Sequence, residues 1–590
     1  MPTIPLGEYL WRRIAEVGVG TVMGLPGDFN LQLLDHIYNV KGLRWIGNAN
    51  ELNAAYAVDG YARVKNVPGC IVTTHGVGEL SALNGIAGAM TEQVKVIHVV
   101  GQTARPQQRK RQLIHHSIGL HPDHQVFNKA SKRFRVDEAE LWEPADAPAE
   151  IDRVIRECFL KSGPVYIFIP LDIVDEQVSS KRLKDPIDLS PTKTREIETI
   201  MRSAVKDIAK AISKASNPMI FVDCLLARQN VIPEARKLIE LLGWPVFQSG
   251  IAMGIVDPTS PQLVGNYIGS ISAPGICAAF DSADLLLVLG RLPSDTNTGG
   301  FTQNMPASKV IEFHPDRVDI LGKTFYPSLP LRLILPYVTH KLTSIPSLPT
   351  PPIPRLPHYT LADPTPSPTI THSWFWSRFS SFLQPHDIIV SDTGTSLFGL
   401  QDCRFPRGST YHASSYYSSI GFATPAALGA ELARQEMPAE TRGGRTVLVT
   451  GDGAIQLTSG EISTMIAAGA PVVVVLVNNR GYTVERAIHG AHQGYNDIPS
   501  WKWGRALEFH GMEGGEAEGS YVRCETREEF EEVIGREDLR RPEGVKIVEV
   551  IMGKLDAPWK MLEQIGLRGE KYREEMRGAG FVVARAVEEE

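Results

Sequence analysis

The fold is decided by a stretch that begins Thr446-Val-Leu-Val-Thr-Gly-Asp-Gly453 and closes with Val472-Val-Val-Val-Leu-Val-Asn-Asn479. Each half is an apolar run without polar alternation, which is typical of strands buried on both faces of a parallel sheet. Between them Gln456–Ala468 has a helical pattern, and 24 residues separate Gly453 from Asn478. The stretch therefore predicts a strand–helix–strand unit with a polar motif at the end of each strand.

The two motifs suit a diphosphate with a magnesium ion. Glycines at a strand end let the backbone approach a diphosphate, and the N-terminus of the next helix favours its negative charge. Mg²⁺ takes an octahedron of oxygen ligands, some of them from the phosphates. Asp452 offers a carboxylate, Asn479 a side-chain carbonyl and the backbone near Gly481 a third oxygen. These three are the predicted metal ligands, with Gly453 and Ala454 beside the diphosphate.

A nicotinamide cofactor is disfavoured by the same loops. Gly-Asp-Gly alone is a weak signal, and only its spacing from the paired asparagines makes it specific. The dinucleotide fingerprint needs a third glycine after the first two. That position is Gln456 in this loop and Ser81 in the other glycine-rich loop, Gly76-Val-Gly78.

Other apolar, β-branched runs predict further strands along the whole chain. They are Cys70–Thr74, Lys95–Val100, Val165–Ile169, Met219–Val222, Leu285–Leu289, Val310–Phe313 and Ile388–Ser391. Helical patterns lie between them, so the chain is predicted to be an α/β protein with three doubly wound parallel-sheet domains.

Two segments divide the predicted domains. Asp185–Thr194 is polar and contains two prolines, and nine prolines fall within the 23 residues from Pro346 to Pro368. Such a density of proline is typical of a stiff, extended connector. The predicted domains are 1–185, 195–345 and 365–565, followed by a charged, loosely held tail at 566–590.

Composition excludes some classes of partner. The formal charge is −7 and the pI about 6.2, which argues against a nucleic-acid or anionic-membrane surface. The six cysteines are scattered without metal-binding spacing, as expected in a reducing compartment. No apolar run is long enough to span a bilayer. We therefore expect a cytoplasmic protein with no nucleic-acid or membrane partner.

Long stretches outside the cofactor motif resemble the pyruvate decarboxylase family. They are Gly24–Asn30, Gly47–Ala57, Gly76–Gly85, Glu461–Met465 and Asn478–Glu485. The resemblance implies the thiamine-diphosphate enzyme fold, with a pyrimidine-binding, a central and a diphosphate/Mg-binding domain in that order. It also implies thiamine diphosphate and Mg²⁺ as cofactors, held between the subunits of a homodimer or homotetramer.

The same resemblance assigns acids and bases. Glu51 falls where the family places the carboxyl that shares a proton with the aminopyrimidine ring; without the resemblance it would be a solvated glutamate at a helix start. Asp28, His115 and His116 would relay a proton to the reacting substrate, and Glu485 would lie by its carboxylate. Adjacent histidines on a regular strand face opposite ways, so a strand would give at most one of them a role. The resemblance instead implies that both lie near the substrate on a loop.

Further positions match the cofactor surroundings, and two depart from the family. Thr393 and Thr395 match hydroxyl-bearing positions, and Ile420 matches the apolar wedge that would bend the cofactor. Ala454 replaces a usual hydroxyl residue, so one diphosphate hydrogen bond of about 1 kcal/mol must come from elsewhere. Ser418 replaces a glycine whose backbone carbonyl contacts the cofactor in the family. A side chain at this position is expected to be tolerated only if its φ is negative.

The expected reaction is non-oxidative decarboxylation of a 2-oxo acid to an aldehyde and CO₂. Leu397 is larger and Val484 smaller than the residues of pyruvate-specific members, each change being worth roughly 1–3 kcal/mol of discrimination. These partly cancel, so pyruvate is the leading substrate, with a branched or aromatic 2-oxo acid such as phenylpyruvate or indolepyruvate as the alternative.

Two other functions remain open. One is a carboligase of the acetohydroxyacid synthase type, which shares the three-domain plan; the double histidine argues against it. The other is a non-catalytic structural or regulatory paralogue. Ala454, Ser418 and the altered loop Leu120–His124 motivate that alternative.

Overall fold

The computed structural model describes residues 2–357, 359–361, 363, 368–439, 442–581 and 586–588, the last three through their backbone alone. Within these residues, three large sheets follow one another along the chain, and helices cover them. This confirms the predicted α/β class with three parallel-sheet units. The domain boundaries themselves stay predictions. Residues 364–367, where the third domain was predicted to begin, lie outside the described residues, as do 582–585 and 589–590 of the predicted tail.

The first sheet has six parallel strands. In spatial order they are Arg44–Gly47, Thr21–Gly24, Gly69–Thr74, Val96–Gln102, Val165–Pro170 and Asp137–Glu140. The α-helices of this part are Leu6–Glu16, Leu31–Asp35, Glu51–Lys65, Val77–Thr91, Arg105–Arg109, Val126–Ser131 and Ala147–Lys161. Short 3₁₀ turns occur at His36–Asn39, Lys132–Phe134, Leu171–Ile173 and Lys181–Lys184. Thr3–Pro5 and Gln177–Ser179 form a separate antiparallel pair.

The middle sheet has seven strands. In spatial order they are Leu263–Asn266, Val246–Gln248, Pro218–Val222, Leu285–Leu289, Val310–Phe313, Val318–Ile320 and Thr324–Tyr326. The last two run antiparallel to their neighbours, so this sheet is only mostly parallel. Its helices are Arg195–Ile212, Leu225–Arg228, Ile232–Leu242, Ile276–Asp281, Leu331–Leu342 and the 3₁₀ turn Ala307–Lys309.

The third sheet again has six parallel strands. In spatial order they are Thr410–Ala413, Ile388–Ser391, Thr446–Gly451, Val472–Asn478, Lys546–Ile551 and Tyr521–Cys524. The α-helices are His372–Phe382, Thr395–Leu400, Ala423–Gln435, Asp452–Gln456, Glu461–Ala467, Thr483–Ile488, Ala506–Phe509, Gly514–Gly519, Arg527–Ile534, Glu537–Arg540, Trp559–Gly566 and Glu570–Ala579, with 3₁₀ turns at Gly494–Asn496 and Trp503–Arg505.

Both faces of the third sheet are buried, as the continuous apolar runs predicted. Val447 and Val449 pack into one apolar cluster, whereas Leu448 between them packs into another on the opposite face. The second cluster also contains Ala57 and Met23 of the first sheet region. One continuous core therefore joins the first and third sheets.

The helix predicted at Gln456–Ala468 is wrong in its bounds. The structure has two short helices, Asp452–Gln456 and Glu461–Ala467, separated by a turn. Within that turn the Thr458 hydroxyl donates to the carbonyl of Gly421 at 2.7 Å instead of capping its own helix. The break directs the first helix, and with it the Gly-Asp-Gly motif, toward the end of the sheet.

The tail is more ordered than predicted. Glu570–Ala579 is a helix, and Met576 and Phe581 are buried in the apolar cluster of the third sheet. Ala586–Glu588 pairs antiparallel with Tyr359–Leu361. Because Met576 and Phe581 are buried in that apolar cluster, helix Glu570–Ala579 belongs to the third unit and is not loosely held.

Candidate active site

The Gly-Asp-Gly motif places a buried carboxylate where a parallel strand meets a helix. Asp452 is the first residue of Asp452–Gln456 and follows strand Thr446–Gly451 directly. Its two carboxylate oxygens accept hydrogen bonds from the backbone N–H groups of Gly453 at 3.0 Å and Gly481 at 3.1 Å. Burial raises the pKa of Asp452 to about 6, although these N–H groups act to lower it.

The predicted metal ligands meet at one point. One terminal atom of the Asn479 amide lies 2.7 Å from the carbonyl oxygen of Gly481 and 3.2 Å from Oδ1 of Asp452. If this atom is the amide nitrogen, it donates hydrogen bonds to the Gly481 carbonyl and to Asp452 Oδ1. If it is the amide oxygen, three oxygens face one another. Neighbouring ligands of an octahedral Mg²⁺ lie about 3 Å apart, because each metal–oxygen distance is roughly 2.1 Å. The donor set and its spacing therefore fit Mg²⁺.

Two glycines are required by this geometry. A Cβ on Gly453 would lie 2.6 Å from the ring of Tyr482. Gly481 has φ +126, and a Cβ there would lie 2.3 Å from the carbonyl oxygen of Asn496. Any side chain at either position would displace the loops that carry Asp452 and Asn479.

Asp392 is a residue of this site to which sequence reasoning gave no role. It is fully buried, and its carboxylate accepts from the N–H groups of Gly421 at 3.0 Å and Ala423 at 3.2 Å and from the Thr450 hydroxyl at 2.6 Å. Burial raises its pKa to about 6. Asp392 thus holds the loop of Ile420 against the strand of the metal motif. The sequence feature that could have identified Asp392 is its position directly after the apolar strand Ile388–Ser391.

The loop around Ile420 has an unusual backbone. Ile420 is 37% exposed, as an apolar residue facing an open site would be. Ser418 has φ +55, which contradicts the negative φ that a side chain was expected to need there. Its hydroxyl donates to the carbonyl of Ser415 at 2.9 Å, so a local hydrogen bond offsets part of the strain. The Thr393 hydroxyl donates to Ser414, and Thr395 is buried at the start of its helix.

Glu51 begins a helix beside a glycine-rich loop. Asn50 caps this helix, because its side chain accepts from the N–H of Asn53 at 2.8 Å. Glu51 is half-buried, and its Oε1 lies 3.1 Å from the position that a Cβ on Gly78 would take. Gly78 therefore leaves room for the Glu51 carboxyl.

Asp28, His115 and His116 form a cluster at the first sheet. The ligand-type atoms of the three side chains lie within 4.8 Å of one another, and His115 Nε2 lies 2.7 Å from Asp28 Oδ2. His116 has φ +69, and the two imidazole rings are 4.7 Å apart. The pair lies in a turn, so the strand geometry under which only one ring could approach the site is wrong.

A layer of buried polar groups lies behind this cluster and was missed. His75 is fully buried, neither of its ring nitrogens has a hydrogen-bond partner among the described residues, and its ring is 5.8 Å from that of His124. Burial lowers the pKa of His75 to about 4, so it is neutral at physiological pH. Glu79, 4.0 Å from His75, has its pKa raised to about 7 by burial. Glu79 lies within the stretch Gly76–Gly85 and His124 within the altered loop Leu120–His124, but nothing in either stretch indicated a layer of buried polar groups.

Asp28, His115 and His116 form one group of predicted residues, and Asp452, Asn479 and Gly481 form another. Glu485 is exposed on helix Thr483–Ile488. Over the described part of the chain, no hydrogen bond or ion pair connects the Asp28 cluster to Glu485 or to the metal motif.

Three family models match the chain in sequence order. The N-terminal TPP binding domain of thiamine pyrophosphate enzymes matches residues 4–126, the central domain 205–332, and the C-terminal TPP binding domain 392–549. A pyruvate decarboxylase of Candida glabrata is 41% identical over 573 residues, covering 96% of this chain and 98% of its own. The chain belongs to the pyruvate decarboxylase family.

Other members give the same picture. Pyruvate decarboxylase isozyme 2 of Saccharomyces cerevisiae is 39% identical, and pyruvate decarboxylase of Kluyveromyces lactis 40%, each over 96% of this chain and 99% of the relative. Asp452 and Asn479 fall within the C-terminal match, and Glu51 and the histidine pair within the N-terminal match. Both thiamine-diphosphate-binding halves of the family are thus present. No helix among the described residues is long and apolar enough to cross a membrane.

Proposed function

We propose that the protein decarboxylates pyruvate non-oxidatively to acetaldehyde and CO₂, using thiamine diphosphate and Mg²⁺. The observation that carries this proposal is the pairing of an oxygen-lined metal motif with the Asp28–His115–His116 cluster in a chain so similar to pyruvate decarboxylases. The coenzyme, when bound, supplies the nucleophilic carbon and the electron sink. The chain supplies position, charge and protons.

The diphosphate end is held through oxygen and backbone contacts. Asp452, Asn479 and the carbonyl of Gly481 are the proposed Mg²⁺ ligands, and the start of helix Asp452–Gln456, which contains Gly453 and Ala454, is the proposed contact for the phosphates. Metal binding favours the ionised carboxylate, so it offsets the cost of burying Asp452. Ala454 has no hydroxyl, so it offers no side-chain hydrogen bond to the phosphates.

Glu51 acts at the other end of the coenzyme. Its carboxyl stands beside Gly78 and can share a proton with a ring nitrogen at hydrogen-bond distance. Thr393, Thr395 and Ser418 line the same site, and Ile420 supplies its apolar surface. Asp392 is a positioning residue, because it acts through the loop that it holds.

Protons for the substrate come from the histidine cluster. Asp28 bonds to His115 and orients that ring, while His116 lies beside it. Imidazole exchanges protons readily near neutral pH, which suits protonation of the reacting carbon before aldehyde release. Glu485, which is exposed on helix Thr483–Ile488, is assigned to the substrate carboxylate.

Two residues next to the Thr393–Thr395 loop are proposed to set substrate size, Leu397 by filling space and Val484 by opening it. Leu397 is buried on helix Thr395–Leu400, and Val484 Cγ2 lies 3.5 Å from where a Cβ on Gly394 would be. A bulky side chain at 397 favours a small substrate. Leu397→Ala is expected to raise activity toward phenylpyruvate relative to pyruvate, by the 10–200-fold range typical of a changed pocket volume, or roughly 1–3 kcal/mol.

The site is proposed to be completed by a second copy of the chain. Exposed apolar residues surround the two groups: Val77, Leu80, Tyr416, Ile420 and Leu457 are 37–53% exposed. Asn84, one turn after Leu80, accepts from the Tyr417 hydroxyl at 2.8 Å, so these residues border one surface. A homodimer or homotetramer that covers this surface would bring Glu51 and Asp452 of different chains together. All six cysteines are free, which supports a cytoplasmic location.

A substrate panel tests the proposal. Purified protein with Mg²⁺ and thiamine diphosphate is assayed for aldehyde and CO₂ on pyruvate, branched and aromatic 2-oxo acids. Glu51→Gln is expected to lower kcat at least about 100-fold, as loss of a proton-transfer group does. Glu240→Gln, an exposed glutamate of the middle unit, is the matched control and should be unchanged. If calorimetry shows cofactor binding but no 2-oxo acid yields an aldehyde, the result would support a non-catalytic paralogue instead. If acetolactate is the main product, the result would support a carboligase.

A further inference from the structure

The Asp28–His115–His116 cluster has the donor set of a transition-metal site. Two imidazoles and a carboxylate, each offering one ligand atom, lie within 4.8 Å of one another. In catalytic zinc sites, three side chains of these types bind Zn²⁺, and a fourth coordination position is open to water or substrate. Tetrahedral ligands at the usual Zn distances lie about 3.4 Å apart, so the side chains need to move by little more than 1 Å.

The two imidazoles are held in place by packing. Phe29 stacks on His115 with ring centroids 5.0 Å apart and meets His116 edge-on at 6.2 Å. Behind Phe29, His75 packs against it at 5.7 Å. Because the rings rest on a buried aromatic layer, little side-chain freedom is lost when an ion is bound.

The lone pairs of the cluster are accessible. His115 and Asp28 are more than half exposed, and their contact with each other is the sole ion pair that either makes among the described residues. No described protein group forms a hydrogen bond or ion pair with His116, whose ring contacts are those with Phe29 and His115. His75 is neutral, since burial holds its pKa near 4, and therefore does not repel a cation from behind.

We propose that Asp28, His115 and His116 bind a Zn²⁺-class transition-metal ion, distinct from the Mg²⁺ of the diphosphate motif. The ligand types separate the two ions: imidazole nitrogens suit Zn²⁺, whereas the oxygens of Asp452, Asn479 and Gly481 suit Mg²⁺. Occupation of the imidazole lone pairs removes them from proton transfer. The ion therefore inhibits turnover, a consequence that rests on the proposed function, whereas the binding does not.

The test titrates ZnCl₂ into the full-length protein by calorimetry, with thiamine diphosphate present and Mg²⁺ in large excess to keep the diphosphate motif filled. One Zn²⁺ per chain is expected. His116→Gln and Asp28→Asn should each weaken Zn²⁺ binding by more than roughly tenfold, which is the loss expected when only a hydrogen-bond partner of a ligand is removed. His121→Gln, an exposed histidine on the same loop, is the matched control and should bind as the wild type does. Co²⁺ should give an intense visible band in the wild type and not in His116→Gln.

Either of two results would overturn the site. One is that the wild type binds Zn²⁺ no more tightly than His116→Gln does; the other is that His121→Gln weakens Zn²⁺ binding as much as His116→Gln does. Thermal melts followed by circular dichroism establish that each variant is folded. If His116→Gln does not fold, Asp28→Asn still gives an independent test of the site. Inhibition is read separately. Zn²⁺ that binds at the cluster without slowing aldehyde release would contradict the proposed proton role of the histidines and leave the metal site standing.

Discussion

At the scale of single residues, the structure explains positions that a motif search passes over. Asp392, His75 and Glu79 are buried polar groups whose environment is created by residues distant in the chain. The approach of Asp452, Asn479 and Gly481 to one another was predictable because all three are local to two strand ends. The buried layer behind the histidines was not, because burial depends on the tertiary contacts of Phe29, Phe127 and His124.

Ser418 gives a prediction about backbone strain. With φ +55 it occupies the left-handed region, which costs a non-glycine residue about 1 kcal/mol. Ser418→Gly should therefore be more stable than Ser418→Ala by about 1 kcal/mol, because both lose the hydroxyl and only glycine relieves the strain. Urea unfolding of the two variants measures the difference. Equal stability would mean that this backbone is not strained.

Glu79 gives a prediction about pH. Its folded pKa, about 7, lies above its ordinary 4.5, so the folded chain holds a proton that the unfolded chain releases. The associated stability is fully present below pH 4.5 and is lost as pH rises through 7. Glu79→Gln does not titrate, so its stability relative to wild type should increase by about 3 kcal/mol from pH 4.5 to above 7. Urea midpoints across this range test it; a constant difference would contradict the raised pKa.

At the scale of elements, strands were predicted better than helices. Leu285–Leu289, Val310–Phe313 and Ile388–Ser391 have the predicted bounds, because strands that are largely buried on both faces are mostly apolar. The segment after Gly-Asp-Gly was read as one helix, whereas Thr458 bonds to a distant carbonyl and interrupts it. Local periodicity contains no information about such a partner.

Helices Glu51–Lys65 and Ala423–Gln435 pack with their backbones in contact. A Cβ on Gly429 would lie 1.8 Å from the carbonyl oxygen of Ala57. Gly429→Ala should therefore force the helices apart and destabilise the protein by about 3 kcal/mol, at the upper end for overpacking. Gly535→Ala is the control, because its nearest atom would be 3.8 Å away. Thermal unfolding compares them, and similar melting temperatures would mean that the helices can separate freely.

At the scale of the whole molecule, the two groups of site residues make a prediction about assembly. Glu51→Gln and Asp452→Asn are each expected to be inactive. If one chain supplies Glu51 and its partner Asp452, a mixed dimer retains one intact site, and random mixing restores about a quarter of all sites. The two variants are mixed, refolded and assayed. Activity no higher than that of either variant alone would place the complete site within one chain.

The shared apolar core has a consequence for how the molecule comes apart. Its members include Met23 and Tyr61 from the first sheet region and Leu448 and Val474 from the third, whereas most of the middle sheet has clusters of its own. The first and last thirds of the chain are thus cooperative partners despite their separation in sequence. In calorimetry they should melt as one event, and cutting the connector before residue 368 should leave two halves that still co-purify, neither of them soluble when expressed alone.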